Sequence, residues 1–458
     1  MSLGSLLAAA QAGPGIGPRL VSLVGVFVIV GLAWGMSTQR DAIKWRPVIW
    51  GIALQFVFGV LVLNPAVSGV FYGVVDGAVN KLLEFAGRGG EFVFGSLMPH
   101  QIADADGTLQ PSRGLSPPMV NLAFTVLPTI IFFSALTALL YQLGVMQFVV
   151  RGIAWVMVRT LGTSGAESLS AAGNIFLGQT EAPLLVRPFI DKMTHSELNS
   201  IMTCGFATVA GGVLGAYVSF LRDVPNIAGH LVMASIMAAP GALALSKIVV
   251  PETREPVTKG EMGEAPSSEA SNAVEAVAVG ASDGVKLAIN VAAMLIAMVA
   301  IVYLVDWTLG VIPVRFCDDA LSAGYACAEG ATARPLGLSD VLGTLFMPLA
   351  IAIGVPLEEA RTVGQLLGEK LALTEFIAYE HLGHIVKHEP GRLSERTVVM
   401  CSFALCGFAN FASIGIQLGG IGGMAPDRLT DLSRLGFRAM LTGALVSCMS
   451  AAMVGVIW

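Results

Sequence analysis

Three polar clusters interrupt an otherwise apolar chain, and each holds groups able to grip a small polar solute or an ion. The densest runs Asn174-Ile-Phe-Leu-Gly-Gln-Thr-Glu-Ala-Pro183. Gly178 permits a sharp turn and Pro183 can begin or end a half-helix. Gln179, Thr180 and Glu181 are therefore expected at a tip that presents side chains to a cavity. A charge at membrane depth costs roughly 2.5–3.5 kcal/mol on insertion scales, so Glu181 needs water, a partner or a ligand. The plainer reading is a carboxylate that caps a broken helix. Glu375, preceded by Thr374, is the second candidate; with Glu369, Lys370 and Glu380 nearby it could equally be an interfacial glutamate. Phe408, Asn410 and Ser413 form the third cluster. Asn410 and Ser413 are three apart and share a helical face. Asn offers donors and an acceptor, Ser a hydroxyl and Phe a flat apolar surface, a set that suits a neutral, hydroxyl-rich ligand. Hydrogen bonding between packed spans is the alternative.

Asn174 and Thr208 offer side-chain oxygens, and Leu177 and Val209 offer backbone carbonyls. Hard cations take oxygen ligands, and unwound carbonyls serve at transporter midplanes. Spacing alone does not separate this set from ordinary packing at helix breaks. His381, His384 and His388 share a face beside Glu380 and Glu389, which raises a zinc site and a membrane metalloenzyme. The spacing lacks His-Glu-x-x-His, and a solvated amphipathic face is the plainer reading. No Gly-x-x-x-x-Gly-Lys-Ser/Thr loop occurs, so ATP-driven transport by this chain alone is unsupported.

The clusters repeat. Cys204-Gly-Phe-Ala-Thr-Val-Ala-Gly returns as Cys406-Gly-Phe-Ala-Asn-Phe-Ala-Ser, and each follows a Thr-Glu pair, Thr180-Glu181 and Thr374-Glu375. Two related halves, each with a carboxylate beside a polar-dotted helix, read as a secondary transporter with its site at the pseudo-symmetry interface.

What must position these groups is a lipid-embedded scaffold. The chain is 55% hydrophobic and 13% charged, against roughly 25% charged in soluble domains, with mean hydropathy +0.75. Eight windows lack Asp, Glu, Lys and Arg: 20–37, 47–75, 114–150, 198–221, 224–246, 287–305, 397–426 and 439–458. A spanning helix needs roughly 20 apolar residues, so eight spans are expected. Two interrupted apolar pieces remain, 168–189 and 341–376; re-entrant helical hairpins fit them best. The first span lacks a basic leader and reads as a transmembrane helix rather than a cleaved signal. Arg40, Lys44 and Arg46 favour the cytoplasmic side for the first loop, which sets the N-terminus outside. Arg428, Arg434 and Arg438 then also fall inside, while Lys387, Arg392 and Arg396 fall outside, against the charge rule. Arg151 and Arg159 suggest an interfacial helix. Cys317 and Cys327 share an outer loop where a disulfide could persist; two free thiols are the alternative. The net charge of −6 and the absence of a basic block argue against nucleic acid.

The runs Gly173-Asn-Ile-Phe-Leu-Gly-Gln-Thr-Glu-Ala-Pro183, Cys204-Gly-Phe-Ala-Thr-Val-Ala-Gly and Gly407-Phe-Ala-Asn-Phe-Ala-Ser-Ile414 together resemble the concentrative nucleoside transporter family, over nearly the whole chain. The resemblance implies an all-α integral membrane protein with eight transmembrane helices and two re-entrant hairpins in an inverted repeat. It implies residues 1–113 as an N-terminal two-span region, 114–250 as the first repeat, 251–283 as a cytoplasmic linker and 284–458 as the second repeat. Nucleobase contacts map to Gln179, Thr180, Glu181 and Val213, with Phe408 against the base; ribose contacts map to Glu375, Asn410 and Ser413. Sodium maps to Asn174, Leu177, Thr208 and Val209. Thr374 and Ala412 depart from residues common in the family, Asn and Ser. The expectation is a sodium-coupled nucleoside importer, not an enzyme, without organic cofactor. It would act as a homotrimer of elevator type in a bacterial inner membrane; proton coupling and the His381 metalloenzyme are the alternatives.

Overall fold

The structure, a computed structural model, describes residues 16–63, 65–94, 101–103, 109–111, 122–259, 270–311, 315–317 and 333–458. Apart from two three-residue ribbons, Gln101–Ala103 with Leu109–Pro111 and Arg315–Cys317 with Ala333–Pro335, the described chain is helical. The Cys317–Cys327 pairing lies outside the described residues. Three helices come first: α1 (Ile16–Gly35), α2 (Trp45–Leu63) and α3 (Pro65–Phe94). The 47–75 window thus takes in both the end of α2 at Leu63 and the start of α3 at Pro65.

The element order then runs twice. The first pass is α4 (Leu127–Gln142), α5 (Val145–Leu161), the hairpin arms α6 (Gly165–Gly173) and Ala182–Val186 leading into α7 (Arg187–Ile190), the broken span α8 (His195–Ala207) and α9 (Gly211–Phe220), and α10 (Ile227–Val249). The second is α11 (Ala273–Gly310), α12 (Leu338–Ala352), the hairpin α13 (Leu357–Ala372) and α14 (Glu375–His388), the broken span α15 (Glu395–Ala404) and α16 (Phe411–Met424), and α17 (Leu429–Ile457). Five stretches are long and apolar enough to cross a bilayer: Gly17–Gly35, His195–Phe220, Ile227–Val249, Ala273–Gly310 and Pro426–Ile457. With α2, α4 and the α15–α16 pair they make eight spans around two hairpins.

Sharp bends occur at two helix junctions. The α4–α5 pair turns by 78° and the α12–α13 pair by 118°. On α5, Met146, Val150, Ala154, Met157 and Leu161 form one buried stripe while Arg151 and Arg159 stay exposed, as an interfacial helix requires. The second bend corrects the hairpin placement: α12 stands apart, and the arms are α13 and α14. The second arm escaped the apolar window because it is amphipathic, burying Phe376, Tyr379, Leu382 and Ile385 while exposing Glu380, His384, Lys387 and His388. Likewise α11 begins at Ala273, inside the segment read as linker.

Polar ties show that the hairpins enter from opposite ends of the bundle. At one end Arg396 donates to Gly354 O (2.7 Å), Ser22 Oγ (2.9 Å) and Gly455 O (2.7 Å), and Ser394 N donates to Glu359 (2.9 Å) at the root of α13. Ser22 lies in the N-terminal half of α1, about 20 Å along the axis from Gly35 at 1.5 Å per residue. At the far end of α1, Thr38 N donates to Val249 O (2.9 Å), closing α10. There sits the root of hairpin 1. Ser164 and Thr194 each form a capping box, with Glu167 and Glu197; Ser164 Oγ donates to Glu197 (2.7 Å), and Lys247 pairs with Glu167 (2.7 Å). Pairing of this kind offsets part of the cost of burying the charges. Elsewhere α11 approaches α4 through Gly280 and Gly284, whose missing side chains leave room for Ala135, Ala138 and Ile131.

Candidate functional site

Two broken helices cross at their breaks. Gly407 adopts φ +97°, which a residue bearing a Cβ rarely takes, and an added Cβ would lie 2.5 Å from Phe206 O. Glycine thus lets the second break rest on the backbone that ends α8. The first copy of the Cys-Gly-Phe motif makes room for different neighbours: a Cβ on Gly205 would strike Gln179 of hairpin 1 and Gln417 of α16.

Each hairpin tip docks on these breaks. In hairpin 1, Gly211 N donates to Phe176 O (2.9 Å), fixing the tip to the start of α9. Gln179 Oε1 accepts from Gln417 Nε2 on α16 (3.1 Å), which also donates to Met202 O (3.1 Å). Thr180 packs where Gly420 leaves space. In hairpin 2, Thr374 caps α14, so Glu375 begins that helix beside the break. The buried Glu375 carboxylate accepts from Tyr217 Oη on α9 (2.9 Å) and from Asn410 Nδ2 (2.9 Å). Asn410 in turn caps α16 through Oδ1, which accepts from Ser413 N (2.9 Å), so its amide is oriented toward Glu375. Phe376 meets Tyr217 edge to face at 4.9 Å.

One stripe of α16 therefore joins the tips. Asn410, Ser413, Gln417 and Gly420 recur at helical spacing, with Glu375 at one end and Gln179 and Thr180 at the other. The step from Asn410 to Gln417 covers about 10 Å along the axis. Ser413 and Val213 are buried; Phe408 is half-buried. Glu181 behaves differently from Glu375. Its carboxylate accepts from the backbone N–H of Gly178 in its own turn, and the side chain is exposed. Tyr217 and Gln417 were not expected. Gln417 could have been found as the continuation of the Asn410–Ser413 face; Tyr217 lies amid apolar neighbours with no comparable signal.

Two of the cation candidates lie at helix ends. Asn174 closes α6 and Thr208 closes α8, so both sit where backbone carbonyls leave the helical ladder. Asn174 Nδ2 donates to Ser170 O (3.1 Å), but its Oδ1, fully buried, has no hydrogen-bond partner among the described residues. Such an orphan acceptor costs about 1–3 kcal/mol unless something satisfies it. Thr208 Oγ1 donates to Cys204 O (2.9 Å), leaving its own lone pairs free to face a ligand. An all-oxygen donor set with an unpaired buried acceptor fits a small hard cation. The histidines do not assemble: His381 pairs with Glu369 (3.0 Å), His384 stacks on His388, and no group of three His, Cys, Asp or Glu able to hold a metal occurs among the described residues.

Re-entrant hairpins of opposite entry, broken spans and a polar crossing point define a membrane transporter of the secondary-active class. Comparison with known proteins names the family. A profile for the C-terminus of Na+ dependent nucleoside transporters matches residues 230–455, one for their N-terminus matches residues 24–97, and one described as nucleoside recognition (Gate) matches residues 123–223. The chain is 40% identical to the uncharacterized transporter YutK of Bacillus subtilis over 437 residues, covering 95% of this chain and 98% of that protein. It is 39% identical to human sodium/nucleoside cotransporter 1 over 96% of this chain but only 64% of that protein's length. The solved structure of CNTnw in an inward-facing substrate-bound state superposes with TM-score 0.83 at 39% identity, covering 96% of this chain and 98% of that one. A CNTnw variant in an outward-facing state superposes at 0.82 and 38%, covering 96% and 97%. The chain belongs to the concentrative, Na+-dependent nucleoside transporter family, a family of transporters and not of enzymes.

Proposed function

We propose that this protein imports nucleosides across a bacterial inner membrane, driven by sodium and working by alternating access. The observation that carries the reading is the α16 stripe: it links a buried carboxylate to an amide-bearing hairpin tip across about 10 Å, the scale of a sugar joined to a base. Glu375 and Asn410 would receive the ribose hydroxyls, with Ser413 beside them. A carboxylate accepts such donors through charge-assisted bonds. Gln179, Thr180 and Glu181 would address the polar edge of the base, with Phe408 and Val213 lining its faces. Solved relatives in inward- and outward-facing states support alternating access.

Sodium would be held by Asn174 and Thr208 side chains with the Leu177 and Val209 carbonyls. The orphaned Asn174 Oδ1 supports this assignment. The ion would tie the hairpin 1 turn to the α8–α9 break and so fix Gln179 to Glu181 for substrate; by linkage, substrate tightens sodium in return. A homotrimer and an elevator motion are further parts of the proposal, supported by the family resemblance. Proton coupling is the second reading, favoured by Glu375 being buried against neutral donors alone. Competition of labelled uridine uptake by other nucleosides, free bases, nucleotides and dicarboxylates tests the substrate class. Nucleosides should compete and the other classes should not; inhibition by dicarboxylates in place of nucleosides would overturn it.

A further inference from the structure

Lys370, on the first arm of hairpin 2, is 2% exposed, and no carboxylate pairs with it in the described structure. Its ammonium donates to Ala404 O (3.0 Å), Cys406 O (2.7 Å) and Ser447 Oγ (3.0 Å). An ammonium has three donors, and these three oxygens use them all. Two are backbone carbonyls freed where α15 ends at Ala404, and the third is a hydroxyl. The first repeat likewise ends two helices on oxygen-bearing residues, Asn174 and Thr208, one of which has an unpaired acceptor.

The repeat makes the correspondence specific. Lys370 lies five residues before Glu375, as Phe176 lies five before Glu181, between Asn174 and Leu177. Phe176 ties the first hairpin arm to the first break through its carbonyl, and Lys370 ties the second arm to the second break through its ammonium. The first break keeps a buried acceptor, Asn174 Oδ1, without a partner; the second is already filled by an ammonium.

We propose that Lys370 is a tethered cation that does at the α15–α16 break what a free sodium ion does at the α8–α9 break, so that the chain takes one free cation where its repeat offers two places. The proposal rests on the sodium reading given above. A ligand on a covalent stem cannot dissociate, so hairpin 2 stays docked near Glu375 whatever the ion concentration. Hairpin 1 alone would then respond to sodium.

Replacing Lys370 by a short neutral side chain should open the second cage to a free ion. Lys370→Ala, purified and reconstituted, should show a Hill coefficient for sodium in uridine uptake rising from about one to about two, since the coefficient is bounded by the number of coupled sites. Its unfolding midpoint should rise in sodium or potassium chloride over choline chloride by more than the wild type's does. Lys370→Met fills the space without charge and should stay destabilised in all three salts. A Lys370→Ala protein that keeps single-site sodium dependence, or that folds in none of the salts, overturns the proposal, as does a Lys370→Met protein as stable as wild type. Asn174→Ala in the same assay reads the first break alone. Unchanged sodium dependence there removes the sodium reading itself, whereas a shift there with no change in Lys370→Ala removes only the tethered-cation proposal.

Discussion

Glu375→Gln separates charge from shape at the centre of the site. The glutamine keeps the volume of the buried side chain. Asn410 cannot rotate its amide away, because Oδ1 is held by Ser413 N at 2.9 Å. The new Oε1 can therefore accept from Asn410 Nδ2, and Nε2 can donate to Tyr217, whose hydroxyl turns freely to accept. Folding should survive with little loss. Substrate binding should not, because each hydroxyl that meets Glu375 loses a bond to a charged acceptor. Such bonds contribute about 1.5–3 kcal/mol. At 1.4 kcal/mol per factor of ten, the loss is roughly 10- to 100-fold in apparent affinity for uridine. Uptake of labelled uridine into proteoliposomes measures it, with thermal unfolding as the control for fold. The comparison should be repeated with a deoxygenated ribose, for which wild type and variant should converge, as a cycle between protein group and ligand group demands. Uptake within twofold of wild type in a folded Glu375→Gln protein would refute the ribose assignment.

Other perturbations test the remaining contacts. Asn174→Ala should raise the sodium concentration for half-maximal uptake about tenfold, as loss of one roughly 1–3 kcal/mol acceptor implies, and a sodium titration of uptake checks it. Gln417→Leu releases Gln179 and leaves Met202 O without this donor, so uridine affinity should fall several-fold while the Asn410–Glu375 end is undisturbed; competition by deoxyribose analogues should keep its wild-type ranking. Gly407→Ala meets Phe206 O at 2.5 Å in a left-handed backbone, and should lower the unfolding midpoint by several degrees or prevent assembly of the crossing. Gly284→Leu drives a side chain into the Ile131 backbone and should separate α11 from α4, read as loss of the folded protein in detergent.

Much of this was written plainly in the chain. The Cys-Gly-Phe-Ala repeat announced two related halves with a site where they meet, because each copy follows a Thr-Glu pair. Hairpin 1 was legible in Gly178, Pro183 and the polar residues between them. Its root carries capping-box spacings, Ser164 with Glu167 and Thr194 with Glu197, which a reading guided by hydropathy passes over. Hairpin 2 was misplaced because hydropathy averages over a helix: α14 carries Glu380, Lys387 and two exposed histidines on one face and so falls outside any apolar window. The breaks within the 198–221 and 397–426 windows were invisible for the opposite reason, since a break lined by Ala, Val and Leu leaves composition unchanged. Tyr217 and Lys370 could not be assigned, because each finds its partners on elements distant in sequence, and nothing local distinguishes a buried tyrosine or lysine from one at the interface.

The central claim is that an inward sodium gradient drives nucleoside accumulation through these two docked hairpins. Proteoliposomes of the purified protein, loaded without substrate and given labelled uridine under an imposed sodium gradient or an imposed proton gradient, test it most directly. Sodium should produce concentrative uptake that Asn174→Ala shifts to higher sodium, and the proton gradient alone should produce none. Accumulation driven by protons and indifferent to sodium would contradict the account.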